Sequence, residues 1–217
     1  MPPNPSGGPG FRPVTWERLT AALADRLAAA PADAWQRVLL DGAPAARPQR
    51  LADSLAEALR LRGRPALTVA TAGFLRAASL RYEFGRRDPG SYYERRLDTG
   101  ALWREVITPL DPGGSGRVLP DLWDPERDRA TRSPYTSLPP GGVLLLHGAF
   151  LLGHWFPADL TVHLALTPPA LARATPEDER WTLPAYARYE AEVAPAEAAD
   201  VVVRVNDPSR PAWSGGL

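Results

Sequence analysis

The stretch VLLDGAPAARPQRLADSL, Val38 to Leu55, is where residue type and spacing in this sequence point to chemistry. An apolar run ends at Asp41 and Gly42, a turn follows, and Leu51, Leu55, Ala58 and Leu59 then recur at helical spacing. A strand that enters a glycine-bearing turn and leaves as a helix is how phosphate-binding loops are built. Their pattern is G-x-x-x-x-G-K-[ST]: backbone amides cradle the phosphate, the Lys reaches its terminal oxygens and the hydroxyl holds magnesium. Aligned on Gly42, this chain places Arg47 at the second glycine, Pro48 at the Lys and Gln49 at the hydroxyl. Pro44 and Pro48 also remove two N–H donors from the turn. Gly42, Arg47 and Gln49 are the nucleotide-loop candidates, and the competing reading is a plain strand-to-helix connection.

Asp41 is a catalytic candidate because ligands bind at the carboxyl ends of strands in α/β sheets, where it would hold a metal or a hydroxyl. The alternative is an Asp that caps its own turn. His147, His154 and His163 lack metal-ligand spacing on one helix or hairpin, so no metal site is expected from them. Two other segments offer aromatic and charged groups together: RYEFGRRDPGSYY, with Tyr82 and Tyr92, and PDLWDPERDRATRS, with Trp123, Asp124 and Arg132. Aromatic faces stack on a base, carboxylate holds ribose hydroxyls and Arg reads a carbonyl or a phosphate. Against this stands the reading in which Trp123 anchors a loop and Asp124 caps a turn.

These residues need elements to position them. The chain has 217 residues, enough for one α/β domain. Acids and bases balance at 25 each, every base is Arg, and the basic residues are scattered, so neither nucleic acid nor an anionic membrane is an expected partner. Without Cys there is no disulfide framework or thiolate site. No apolar run approaches membrane-spanning length and no leader pattern opens the chain, so the expected location is cytoplasmic.

Residues 1–13 are rich in Pro and Gly and read as a disordered tail. Thr15 caps a helix carrying Trp16, Leu19, Leu23 and Leu27. Strands follow at Arg37 to Asp41, Ala66 to Ala70, within GGVLLLHG, at Asp159 to Leu166 and within DVVVRV. Asp88 to Leu110 reads as helical, Pro120 to Pro140 as a long ordered loop, and Pro168 to Ala174 and Thr182 to Val193 as helical pieces. Apolar strands alternating with helices predict a parallel sheet covered on both faces. The expected organisation is a single domain over 14–207 with a frayed end at 208–217.

The serial order of these pieces resembles the uridine kinase family of P-loop nucleoside kinases, in particular an actinobacterial uridine-kinase-like branch. Five local matches carry the resemblance: the strand-turn-helix of Val38 to Leu59; GFLR at Gly73 to Arg76; RRDPGSYY; LPDLWDPERDRATRS; and VLLLHGAFLL. It implies a three-layer P-loop NTPase-like α/β fold, with a five-stranded, mainly parallel sheet, helices on both faces and a small lid region. It implies ATP-dependent phosphorylation of a nucleoside hydroxyl, with ATP and magnesium entering as cofactors through the resemblance alone. Phe74, Tyr82, Trp123, Asp124 and Arg132 fall in its nucleoside-facing segments. Arg173 and Arg180 fall in its lid and are the remaining catalytic candidates.

The same alignment puts Ala72 and Gly73 where the family carries its general base, and His147 where it carries a metal-assisting acid. The implied function is a nucleoside or nucleotide binder with lost or much reduced kinase activity. The alternatives are a phosphotransferase working through unusual Arg and Asp groups, or another reaction on a related metabolite. A small molecule is the expected partner, and a homodimer is compatible with the chain although no segment identifies an interface.

Overall fold

The computed structural model describes residues 10–216. Val38, Leu39 and Leu40 lie in an inner strand of the central sheet, with at most 2% of their surface exposed. That strand, β1 (Gln36–Asp41), is followed in chain order by β2 (Ala66–Ala70), β3 (Val143–Gly148), β4 (Leu160–Ala165), β5 (Val201–Arg204) and β6 (Ala212–Gly215). Across the sheet the order is Arg12–Pro13, β6, β5, β4, β1, β3, β2. All pairings from β5 to β2 are parallel, and β6 and Arg12–Pro13 add an antiparallel edge.

The sheet is therefore seven-stranded rather than five-stranded, because residues expected to be irregular supply its edge. Arg12 pairs with Trp213 and Pro13 with Ala212, within segments whose Pro and Gly content signals turns locally. Residues 1–9 of the expected tail lie outside the described residues.

Alternation along the buried strands sends Val38, Leu40 and Leu145 to one face and Leu39, Leu144 and Leu146 to the other. The first face is covered by α1 (Trp16–Ala28) and α2 (Pro48–Leu61), whose Leu19, Leu23, Leu51, Leu55 and Leu59 pack on it. Each fully buried Leu contributes about 2 kcal/mol of transfer free energy. The Thr15 hydroxyl accepts from Arg18 N–H at the start of α1, as its sequence position predicts.

The second face is covered by a segment that is not one helix. Asp88 caps α3 (Pro89–Glu94), Leu97 bridges back to Leu75, and Asp98 then caps a new helix, α4 (Thr99–Leu102), which continues as a π-turn over Trp103–Ile107. Two capping aspartates ten positions apart restart the chain where apolar spacing alone reads as continuous. Pro120 to Pro140 likewise holds paired segments, Trp123–Asp124 with Arg129–Ala130 and Arg117–Val118 with Thr136–Ser137. Over the end of the sheet lie α5 (Pro168–Ala174), a 3₁₀ turn at Glu177–Thr182 and α6 (Leu183–Val193). Among the described residues, no helix is long and apolar enough to cross a membrane.

Register brings the chemistry together. Asp41 is opposite Gly148 on one side and His163 on the other, so the carboxyl ends of β1, β3 and β4 converge beneath the turn that starts at Gly42.

Candidate ligand site

The turn after β1 is tightly wound. Gly42 donates its N–H to Gly148 O at 3.0 Å, and a Cβ at Gly42 would press on Leu164, 3.1 Å from its Cβ and 3.2 Å from its carbonyl oxygen. Pro44–Ala46 forms a 3₁₀ turn in which Ala46 N–H donates to Ala43 O at 2.8 Å and Arg47 N–H donates to Pro44 O at 3.0 Å. Arg47 has left-handed backbone, φ 58° and ψ 52°, and α2 begins at Pro48, whose fixed φ suits the first helical position. From Pro44 to Pro48, two residues have no N–H and two spend theirs on the turn's own carbonyls. The position aligned with the motif's second glycine keeps a backbone that favours glycine, yet carries an arginine.

Asp41 is wholly buried. Its Oδ1 accepts from Leu151 N–H at 2.8 Å; its Oδ2 accepts from the Tyr189 hydroxyl at 3.1 Å and pairs with His163 Nδ1 at 2.7 Å. The carboxylate thus joins β1 to β4, to α6 and to the segment that leaves β3. Burial, and then the neighbouring Asp41 charge, push the Tyr189 hydroxyl far above the usual phenol range, so it serves as a neutral donor. Neither a turn cap nor an accessible base describes this residue.

A cavity of about 410 Å³ opens over the carboxyl ends of β1, β2 and β3, within the size range of ligand pockets. Its floor is the turn and the first turns of α2, through Gly42, Arg47, Pro48, Gln49, Arg50 and Asp53. Opposite stand Tyr92, Tyr93 and Phe150, with Arg96 beside them, His147 at the end of β3 and His154 on the 3₁₀ turn Leu152–His154. Arg96 lies over the Tyr92 ring, its guanidinium carbon 4.6 Å from the centroid. Tyr92 and Tyr186 share a hydrogen bond of 3.1 Å between their hydroxyls, and Phe150 meets Tyr92 edge-on at 5.8 Å. Burial holds both His147 and His154 below the ordinary imidazole value, with Asp53 opposing weakly at His147 and Asp41 at His154. A second, more apolar cavity of about 680 Å³ lies between α5, α6 and the ends of β4 and β5, with His163, Tyr189 and Phe11 on its walls.

The sequence candidates separate in space. Gly42, Arg47 and Gln49 line the first cavity. Phe74 has no exposed surface and packs in the core with Leu102 and Ile107. Tyr82 ends a short helix at the surface, flanked by the guanidinium groups of Arg81 and Arg86. Trp123 Nε1 donates to Asp128, while Asp124 Oδ1 accepts from Glu126 N–H at 3.0 Å and Arg127 N–H at 3.1 Å, capping its turn. Asp124 and Arg132 border a separate depression with Arg127 and Arg129. Arg173 and Arg180 are exposed, on α5 and on the 3₁₀ turn, and line neither cavity described above. Tyr93, Arg96, Phe150 and Asp53 complete the site and were not among the candidates. The doubled aromatic and basic letters of SYYERR were the signal for the first two. Among the described residues, no three His, Cys, Asp or Glu side chains are placed to share a metal ion.

This architecture, a mostly parallel sheet layered between helices with the cavity at the end of its first strand, is shared with solved structures described as kinases. Among solved structures, the chain is similar to one described as a possible uridine kinase from Bacillus stearothermophilus, at 22% identity and a TM-score of 0.68, covering 86% of this chain and 98% of that one. A protein from Silicibacter sp. TM1040, provisionally described as a fructose transport system kinase, matches at 26% identity and a TM-score of 0.58 over 86% and 90% of the two chains. The YGR205w protein matches at 11% identity and a TM-score of 0.60 over 94% and 100%. No protein-family model and no curated protein sequence matches the chain.

Proposed function

We propose that this protein is a nucleoside or nucleotide binder of uridine kinase-like lineage, in an actinobacterial branch, with lost or much reduced phosphoryl transfer from ATP and magnesium. The observation that carries the reading is the state of the turn after β1. Its amides are absent at Pro44 and Pro48 and committed internally at Ala46 and Arg47, while the cavity above it remains open at about 410 Å³. A triphosphate is held by converging main-chain donors, a Lys and a metal-bound hydroxyl, and the residues present do not fit that arrangement. Tyr92, Tyr93 and Phe150 give the cavity an aromatic lining that a base can contact, with Arg96 over Tyr92, Arg188 over Tyr93 and Tyr186 against Phe150.

The alternative, transfer through Asp41, is less well supported: the carboxylate has no exposed surface and three of its acceptor sites are taken by Leu151 N–H, His163 Nδ1 and the Tyr189 hydroxyl. A cytoplasmic location belongs to the same proposal. Titration calorimetry with uridine, cytidine and magnesium-ATP tests it. Heat from a nucleoside with none from magnesium-ATP is the expected pattern. Tight, magnesium-requiring ATP binding, or efficient turnover in a coupled assay, overturns it.

A further inference from the structure

The molecule as a whole is neutral, and among the described residues seven of its 25 arginines form ion pairs. Arg37 meets Asp111, Arg62 meets Asp25, Arg81 meets Asp128, Arg95 meets Glu83, and Arg188 meets both Glu94 and Glu192. The cavity gathers several arginines that form no such pair. Three arginines, Arg47, Arg50 and Arg96, line it against a single acid, Asp53, and among the described residues none of the three guanidinium groups has an acceptor or an ion-pair partner.

Each of the three is presented by a different device. Arg96 is half-buried with its plane carried on the Tyr92 ring, which supports the cation and leaves its N–H edge free. Arg50 stands on the first turn of α2, where the positive end of the helix dipole adds to its charge. Arg47 occupies a left-handed backbone position that disfavours any residue with a Cβ, and such retained strain gathers at ligand-binding turns. Arg47 and Arg50 are exposed and Arg96 is partly buried, so all three present their guanidinium groups to a ligand entering from solvent.

The geometry points to a phosphate monoester as the ligand group of this cavity, held by the Arg47, Arg50 and Arg96 side chains where an ordinary phosphate loop would use main-chain amides. Planar, forked guanidinium groups match the oxygens of a phosphate, and the excess positive charge suits a dianion that arrives without a metal. The two histidines next to it, kept largely neutral by burial, add donors without adding charge at neutral pH. Combined with the aromatic wall, the site takes a nucleoside monophosphate in preference to the free nucleoside. This inference rests on the nucleoside-binding reading above.

Calorimetry on the full chain with uridine 5′-monophosphate, uridine and inorganic phosphate, in EDTA, separates the two. The monophosphate is expected to bind at least about tenfold more tightly than uridine at low salt, since one charge-assisted hydrogen bond alone accounts for that factor. The advantage shrinks between about 50 mM and 500 mM NaCl, because the partners are charged and partly exposed. Arg50→Gln and Arg47→Gly each lower the ratio of monophosphate to uridine affinity about tenfold, with melting curves recorded to establish that each variant is folded. Uridine binding without any gain from the phosphate overturns the inference and leaves the nucleoside reading standing. So does a gain that appears only when magnesium is supplied, or one untouched by both substitutions. If neither uridine nor its monophosphate binds, both readings fall.

Discussion

Replacing Asp41 by Ala separates a structural carboxylate from a chemical one. The side chain has no exposed surface and receives donors from three parts of the chain: Leu151 N–H at 2.8 Å, His163 Nδ1 at 2.7 Å and the Tyr189 hydroxyl at 3.1 Å. A buried donor left unsatisfied costs about 1–3 kcal/mol. The Tyr189 hydroxyl can rotate and His163 can shift its proton to the other ring nitrogen, whereas the Leu151 amide has no such freedom. With about 1–3 kcal/mol for the stranded amide and about 1 kcal/mol for each of the other two lost hydrogen bonds, the sum is about 3–5 kcal/mol, a large part of the roughly 5–15 kcal/mol that holds a domain folded. For a domain of this size it lowers Tm by on the order of 10 °C. Asp41→Asn keeps one acceptor oxygen for Leu151 and loses about 1–2 kcal/mol. Thermal and urea melts of the three proteins, followed by circular dichroism, measure the series. If Asp41→Ala melts within about 2 °C of the parent, the network does not carry the stability assigned to it by these magnitudes and the reasoning fails.

Three further outcomes follow from the same structure. Burial holds His147 and His154 below the usual histidine pKa, so the unfolded chain takes up protons first; stability is full above about pH 6.5 and falls as the pH drops through that value toward the lower folded pKa values. A urea-melt series from pH 7.5 to 5.5 should show that slope, and His147→Gln should flatten it. Arg47→Gly relieves left-handed strain of about 1–2 kcal/mol against an unfolded-state cost of about 0.5–1 kcal/mol, so Tm should not fall and should rise by up to about 6 °C. Phe74→Ala empties a fully buried core position and should cost about 3–5 kcal/mol in a urea melt, with uridine affinity unchanged where the variant remains folded.

The layers of the fold were legible because their signals are local. Val38 to Leu40 and Val201 to Val203 read as buried strands from composition, and Leu51, Leu55 and Leu59 mark one face of α2 by spacing. Edge strand β6 was not legible, because Ala212 to Gly215 is ordered by partners far away in sequence, Val201 to Arg204 on one side and Arg12–Pro13 on the other. The break at Leu97 was written in Asp88 and Asp98, but their capping role competes with the apolar pattern that runs across both.

The site divides in the same way, and the division explains its chemistry. Gly42, Arg47 and Gln49 could be placed from sequence because a strand ending fixes where the next turn must lie. Aromatic letters have no such address: Phe74 and Phe150 follow comparable strand ends, yet Phe74 is sealed beneath the second helical layer while Phe150 borders the cavity. What decides between them is which surface the segment from Asp88 to Ile107 covers, and that segment also delivers Arg96 to the ring of Tyr92. The turn after β1 lacks amides at Pro44 and Pro48, a local feature, whereas the cations that line the cavity are assembled over long range, two from the turn and helix and one from across the cavity. A motif search registers the first feature and is blind to the second, because only the fold brings Arg96 beside Arg47 and Arg50.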